Sequence, residues 1–293
     1  MPISASFQRA SRWQLRTRVL ELPRRPLLMG ILNVTPDSFS DGNQFLDPQT
    51  AIEQGLRLAA RGADILDIGG ESTRPYSQPV SATEELRRVL PVIEALSQQV
   101  AIPISIDTSK AEVASSALAA GAEIINDITG LEGDPAMLAL AAESRAGVCA
   151  MHMQGTPQTM QDNPQYSDVV REIHAYLAKR RDALVAAGID PARLALDPGV
   201  GFGKTHEHNI TLLANCYQFH DLGCPLLVGH SRKGYIGKVL NDKTADRLAG
   251  TIGVSLSLAK QGVQVLRVHD VEPVRQALLL FEATGGLGGK DER

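Results

Sequence analysis

Eight times along the chain a short apolar run ends abruptly in a polar or charged side chain, and this repeat restricts the fold more than any other feature. Residues 27–32 stop at Asn33, and residues 65–68 give way to Gly69, Gly70, Glu71, Ser72, Thr73 and Arg74. Residues 104–106 stop at Asp107, 124–125 at Asn126, 148–151 at His152 and 194–196 at Asp197. Residues 226–228 run through Gly229 into Ser231, Arg232 and Lys233, and 263–266 stop at Arg267 and His269. Strands buried on both faces read as continuous apolar runs, and chemistry in such folds gathers at their C-terminal ends.

Amphipathic stretches separate the runs. Asp47-Pro48 and Ser81 stand where helix N-caps are needed, and helical patterns recur near 110–120, 135–143, 167–187, 207–219, 244–261 and 271–283. From Asn33 to Arg267 the strand ends repeat every 33 residues or roughly so, close to the ~30 per unit of a (β/α)8 barrel. An open doubly wound sheet is the rival. It carries about five or six strands and a Gly-rich first turn, whereas here the first strand leads into Asn33-Val34-Thr35-Pro36-Asp37. The expectation is an α/β chain with a single (β/α)8 TIM barrel over 27–284. An arm over 1–26 precedes it, and a Gly-rich, charged tail over 285–293 is expected to be mobile.

That arm holds Arg9, Arg12, Arg16, Arg18, Arg24 and Arg25 against one acid, Glu21, a composition shared with transit peptides. Trp13, Leu15, Thr17 and Val19 alternate as in a half-buried strand, so a short strand or hairpin packed on the barrel is expected instead. With 293 residues, 43% of them hydrophobic, the chain can bury a core without staples. A formal charge of −4 excludes bulk attraction to nucleic acid or to an anionic membrane, so an anionic substrate needs local cations. Cys149, Cys216 and Cys224 show no C-x-x-C spacing, which argues for a reducing cytoplasm and against disulfides or zinc. No run approaches the ~18 apolar residues of a membrane helix.

In a closed barrel Asp107, Asn126 and Asp197 converge at the mouth. Two carboxylates and a carboxamide suit a flat heterocycle with an amino group and ring N–H. The same acids would also serve as helix caps, as ligands of a divalent metal or as acid and base. Asp67 and Asp127 alternate out of phase with their neighbours, an orientation toward the helices rather than the mouth. Arg232, Lys233, Arg267 and His269 follow the last two strands, where many barrels hold phosphate, and Arg74 is within reach. Residues 198–205, Pro-Gly-Val-Gly-Phe-Gly-Lys-Thr, end like a P-loop, but Pro198 stands where that motif needs its first Gly. A tight turn carrying Phe202 as a flat surface is expected. His152 reads as a core or supporting group, His206 and His208 as helix surface, and His174 and His220 as helix residues. The connections 33–47 and 69–81 are long enough to be lids.

These residues fall in motifs that resemble the dihydropteroate synthase family over 27–284. They are MGILNVTPDSFSDG at 29–42, DIGGESTRP at 67–75, SIDTSK at 105–110, IINDI at 124–128 and MHMQG at 151–155. LDPGVGFGK follows at 196–204, GHSRK at 229–233 and RVHDV at 267–271. The resemblance implies condensation of 6-hydroxymethyl-7,8-dihydropterin diphosphate with 4-aminobenzoate, giving 7,8-dihydropteroate and diphosphate, with Mg2+ as cofactor. It assigns the pterin ring to Asp107, Asn126, Asp197 and Lys233, with Met151 and Phe202 packing nearby. Diphosphate goes to Arg267 and His269, and Mg2+ to Asn33. Thr73 falls in the substrate site, while Phe39, Arg74, Pro75 and Ser231 fall on the aminobenzoate side. The catalytic set is then Asn33, Arg74, Lys233, Arg267 and His269. An SN1-like displacement fits, because the pterin delocalises positive charge and no strong nucleophile is present. The family also implies a homodimer. Tyr76 and His230 depart from residues common at their positions. A corrinoid-linked folate methyltransferase would not need the diphosphate set, and a non-catalytic pterin-binding paralogue would be expected to lose it.

Overall fold

The computed structural model describes residues 9–35 and 47–288. A hairpin of β1 (Arg12–Gln14) and β2 (Val19–Glu21) leads into β3 (Leu27–Asn33). Strands and helices then alternate: α1 (Pro48–Ala60), β4 (Ile65–Gly69), α2 (Ala82–Ser97), β5 (Ile104–Asp107), α3 (Ala111–Ala119), β6 (Ile124–Asp127) and α4 (Met137–Ser144). The second half continues with β7 (Gly147–Met151), α5 (Val169–Ala186), β8 (Leu194–Asp197), α6 (His206–Ala214), β9 (Leu227–Gly229), α7 (Gly234–Val239), α8 (Leu248–Lys260), β10 (Val265–Val268) and α9 (Val271–Ala283).

Strands β3 to β8 lie side by side in chain order, all parallel, and β10 returns beside β3 with β9 on its other edge. The seam between β8 and β9 is bridged at Leu196 and Leu226, where the Leu196 amide donates to the Pro225 carbonyl at 2.9 Å. The sheet therefore closes into the eight-stranded barrel that the repeat length predicts.

Pleating sends alternate strand residues to opposite faces. Leu28, Leu32, Ile68, Ile106, Val148 and Leu196 face outward and pack with the helices in the main core. Met29, Ile65, Ile124, Cys149, Ala195, Leu227 and Val265 face inward at the N-terminal end, where Trp13, Leu15 and Leu22 of the hairpin join them. The hairpin is a plug. Trp13 has no exposed surface, and its Nε1 donates to the Arg193 carbonyl at 2.8 Å.

The Arg-rich arm is stitched to the same end. Arg9 Nε donates to the Gly262 carbonyl at 2.7 Å, Arg16 to the Leu118 carbonyl, and Arg18 to the Ala101 carbonyl at 2.5 Å. Unpaired carbonyls collect where helices end, and cations are favoured there. The predicted alternation stops at Leu15, because its amide donates to Arg18 and turns the chain. Thr17 sits in that turn and bonds Glu123, and Val19 is exposed.

The helix starts follow their caps. Asp47 accepts from the Gln49 amide at 3.0 Å ahead of Pro48, and Ser81 accepts from the Glu84 amide at 3.2 Å. Caps of this kind contribute about 1 kcal/mol each. Two helical stretches differ from expectation. The pattern near 207–219 is α6 followed by a 3₁₀ turn over Cys216–Leu222, and the short α7 precedes α8. Among the described residues no helix is long and apolar enough to cross a membrane.

Candidate active site

The strand ends meet inside the barrel as their parity requires. Asn33 lies beside Gly69, Gly69 beside Asp107, and Asp107 beside Asn126, while Met151 lies beside Asp197 and Arg267 beside Gly229. Above them opens a cavity of about 850 Å³. Of the expected residues, Asn33, Thr73, Arg74, Pro75, Asp107, Phe202, Ser231, Lys233, Arg267 and His269 line it. Asn126, Met151 and Asp197 do not line it; they are buried at 5%, 4% and 5% exposure, at the inner ends of their strands. Phe39, with most of the first long loop, lies outside the described residues, as do residues 289–293 of the tail.

Arg267 ties the floor together. Its Nε donates to Asp67 Oδ2 at 2.5 Å and its Nη2 to Asp107 Oδ2 at 2.6 Å. The Asn126 amide donates to both Asp67 oxygens at 3.3 Å. This corrects the expected orientation of Asp67, which faces the barrel interior with no exposed surface. In a strand buried on both faces the flanking residues are apolar either way, so alternation carries no contrast. The signal was the even spacing from Asp67 to Gly69 at the strand end. Asp127 does face outward, where it accepts from Thr129 and the Leu131 amide.

Burial pushes the Asp107 carboxyl up to about 7, with Arg267 opposing and Asp67 reinforcing the rise. Burial alone would disfavour the Arg267 charge, but Asp67 and Asp107 more than compensate and hold it firmly protonated. Asp197 is raised by burial and steadied by the Gly199 amide at 2.7 Å and by the charges of Lys233, Lys204 and Arg267. Burial lowers Lys233 to about 8, against the pull of Asp197. Its ammonium contacts the Val200 carbonyl and sits 4.6 Å from the centre of the Phe202 ring.

The loop 198–203 owes its shape to backbone crowding. At Gly199 φ is +70°, and a Cβ there would lie 1.9 Å from the His152 carbonyl oxygen, so only glycine fits. Gly201 donates to Asn209 Oδ1 at 2.6 Å and accepts from Gln161 Nε2 at 2.8 Å. Lys204, where a P-loop would aim its lysine at phosphate, is 2% exposed. Sequence reasoning did not single out Gln161 or Asn209, which lie in ordinary polar surroundings with no motif to mark them.

On the opposite flank His269 Nδ1 lies 3.1 Å from Ser231 Oγ, which also accepts the His269 amide at 3.3 Å. The hydroxyl proton is then free for Nδ1, leaving Nε2 as the N–H donor. Burial, then Arg267 and Arg232, lowers His269 to about 4, so the ring is neutral at pH 7. Arg232 makes a two-pronged pair with Asp270. A second cavity of about 630 Å³ shares Asn33, Arg74, Arg232 and His269 and extends to Arg57 and Arg61.

The loop after β4 is held from behind. Lys110 bonds Glu71, and it reaches the wholly buried Glu85 at 2.6 Å; Glu71 accepts the Val80 amide at 3.1 Å. Tyr76 donates its amide to the Pro157 carbonyl at 3.0 Å, joining this loop to the one after β7. Among the described residues no three His, Cys, Asp or Glu side chains are grouped to hold a metal. A cation at Asn33 would have to take most of its oxygens from substrate and water, a common arrangement for Mg2+.

A family model described as "Pterin binding enzyme" matches residues 29–269. The dihydropteroate synthase of Escherichia coli K12 is 48% identical over 259 residues, covering 88% of this chain and 92% of the relative. The structure of Xanthomonas albilineans dihydropteroate synthase with 4-aminobenzoic acid superimposes with a TM-score of 0.87 at 47% identity, covering 94% of this chain and 98% of that one. The Yersinia pestis dihydropteroate synthase with a sulfonamide drug gives a TM-score of 0.88 at 45% identity, over 93% of this chain and 98% of that one. A barrel whose acids, amide and cations meet in one mouth thus has relatives along nearly its whole length, and the chain belongs to the pterin-binding enzymes, in the dihydropteroate synthase family.

Proposed function

We propose that the chain condenses 6-hydroxymethyl-7,8-dihydropterin diphosphate with 4-aminobenzoate, releasing diphosphate and forming 7,8-dihydropteroate for folate synthesis. The observation that carries this reading is one cavity lined by Asp107 and a cationic flank, with Asp197 and the Asn126 side chain buried beneath it at strand ends. Asp197, Asp107 and Asn126 match the donors and acceptors of a pterin edge, and Phe202 and Met151 offer it flat and apolar surface. Asp67, Asp107 and Lys233 fix Arg267 and Phe202 before substrate arrives, which lowers the cost of ordering them.

Arg267, His269 and Arg74 stabilise the diphosphate as the C–O bond to the pterin methylene breaks and the electron pair leaves with oxygen. The neutral His269 ring donates through Nε2, and a bound anion would raise its lowered proton affinity. Positive charge left on the methylene spreads into the electron-rich ring. The aniline nitrogen then attacks that carbon and gives up its proton to diphosphate or water. Arg74, Pro75, Thr73 and Ser231 border the side from which the amine arrives, with Phe39 expected there too. Asn33 would be the protein ligand of Mg2+ carried with the diphosphate, and that ion would neutralise charge on the leaving group. Three free, buried cysteines support a reducing cytoplasm, and the family resemblance supports a homodimer.

The test is multiple-turnover diphosphate release from the pterin diphosphate with and without 4-aminobenzoate and Mg2+. Amine-dependent release is expected. Release that ignores the amine overturns the synthase reading, and methyl transfer from a folate to a corrinoid would establish the methyltransferase alternative.

A further inference from the structure

His152 and the lysine of the discarded phosphate-loop motif come together in the fold. Lys204 Nζ lies 3.0 Å from His152 Nδ1 and donates to the Phe202 carbonyl at 2.8 Å. Both side chains are buried, at 2% and 7% exposure. Tyr176 meets the His152 ring edge-on at 4.8 Å, and Tyr166 is tilted against it at 6.1 Å. Tyr166 also donates its hydroxyl to the Gly203 carbonyl at 2.9 Å, and Asn209 Nδ2 reaches the Lys204 carbonyl at 3.3 Å. The bonds from Lys204 and Tyr166 both end on the loop that carries Phe202.

An ammonium taken out of water is costly unless it is paired and hydrogen-bonded. Burial pulls Lys204 well below its ordinary proton affinity; Asp197 opposes that fall and Lys233 adds to it. Burial, then Lys204, lowers His152 to about 3, so its ring is neutral and Nδ1 offers a lone pair to the ammonium. Asp197 is faced by the Gly199 amide, Lys233, Lys204 and Arg267. Cys149 and Cys216, both held as neutral thiols by burial, are further titratable neighbours of Asp197.

The geometry points to Lys204, oriented by His152, as a positioning residue for the ring side of the site: it clamps the Phe202 carbonyl and so fixes the loop that carries the Phe202 ring. This rests on the ring-binding reading of Asp197 and Phe202. Lys204 and Tyr166, both bonded to carbonyls of the 202–203 backbone, keep Phe202 at a fixed depth.

The test titrates 6-hydroxymethylpterin, which has the ring but no diphosphate, into wild type, Lys204→Met and His152→Leu. Lys204→Met is expected to weaken ring binding about tenfold, the value of one charge-assisted bond. KM for the amine should hold. His152→Leu should give a smaller loss of the same kind, and it carries the test if Lys204→Met does not fold. Wild-type ring affinity in these variants, or equal loss of ring and amine binding, overturns the inference. Wild-type enzyme is assayed alongside: if its diphosphate release ignores the amine, the functional reading has failed instead.

Discussion

Arg267 Nε and Asp67 Oδ2 are 2.5 Å apart, and the acid has no exposed surface. Asp107, 2.6 Å from Nη2, completes a guanidinium held by two acids from neighbouring strands. The cation on the substrate side is thus oriented by a residue that lines neither of the two cavities described above.

Asp67→Asn keeps the shape and removes the charge. Breaking a buried pair by removing one partner costs about 3–5 kcal/mol, and the surviving bond to Asp107 places this variant at the low end. The urea midpoint should fall accordingly, and kcat/KM for the pterin diphosphate should drop about tenfold or more. KM for the amine should hold. Wild-type kinetics in a folded Asp67→Asn enzyme would show that Arg267 does not need this support.

His230 has no exposed surface, and its Nε2 lies 2.8 Å from Ser255 Oγ. Burial lowers it from 6.5 to about 4. As pH falls below about 6.5 the unfolded chain takes up a proton that the folded chain refuses, so stability drops until about pH 4, by about 3 kcal/mol. His152 and His269, lowered to about 3 and about 4, act with the same sign. Asp107, raised to about 7, acts oppositely, because between about pH 4 and 7 the folded chain holds the extra proton. His230→Gln should therefore flatten the fall in urea midpoint between about pH 6.5 and 4; an unchanged slope rules His230 out as its source.

The barrel was legible because each unit repeats the same contrast between a buried strand and a polar end. The converging site residues were legible for the same reason: strand ends in one layer share a parity. Asp67 was misread because β4 is apolar on both faces, so nothing marks inward from outward. The role of the arginine arm depends on carbonyls at remote helix ends, and those partners, such as Leu118 and Gly262, have no local signature. Lys204 was set aside with a motif it only partly matches; its partner His152 is 52 residues away.

Trp13→Ala tests the plug. The ring is wholly buried among Met29, Ile65 and Ile124 side chains, and its removal also leaves the Arg193 carbonyl without its Nε1 donor. The expected cost is about 3–5 kcal/mol. The hairpin closes the end of the barrel opposite the cavity, so kcat measured well below the melting temperature should stay near wild type. A large loss of kcat in folded protein would mean that the plug shapes the mouth.

Tyr76 holds φ at +64°, a conformation that costs a side chain bearing Cβ about 1–2 kcal/mol and costs glycine little. The hydrogen bond from its backbone N–H to the Pro157 carbonyl survives any substitution except proline, and its hydroxyl, 3.4 Å from Asp162, belongs to a residue that is 62% exposed. Removing the side chain therefore loses little. Glycine's greater freedom in the unfolded chain offsets part of the relief, by about 0.5–1 kcal/mol. Tyr76→Gly should still be at least as stable as Tyr76→Ala, by up to about 1 kcal/mol, although glycine loses a methyl group and adds no contact. Urea midpoints of the two variants decide it. An alanine variant clearly more stable than glycine would mean that this backbone relaxes once tyrosine is gone, and that the bond to Pro157 does not by itself impose the left-handed turn.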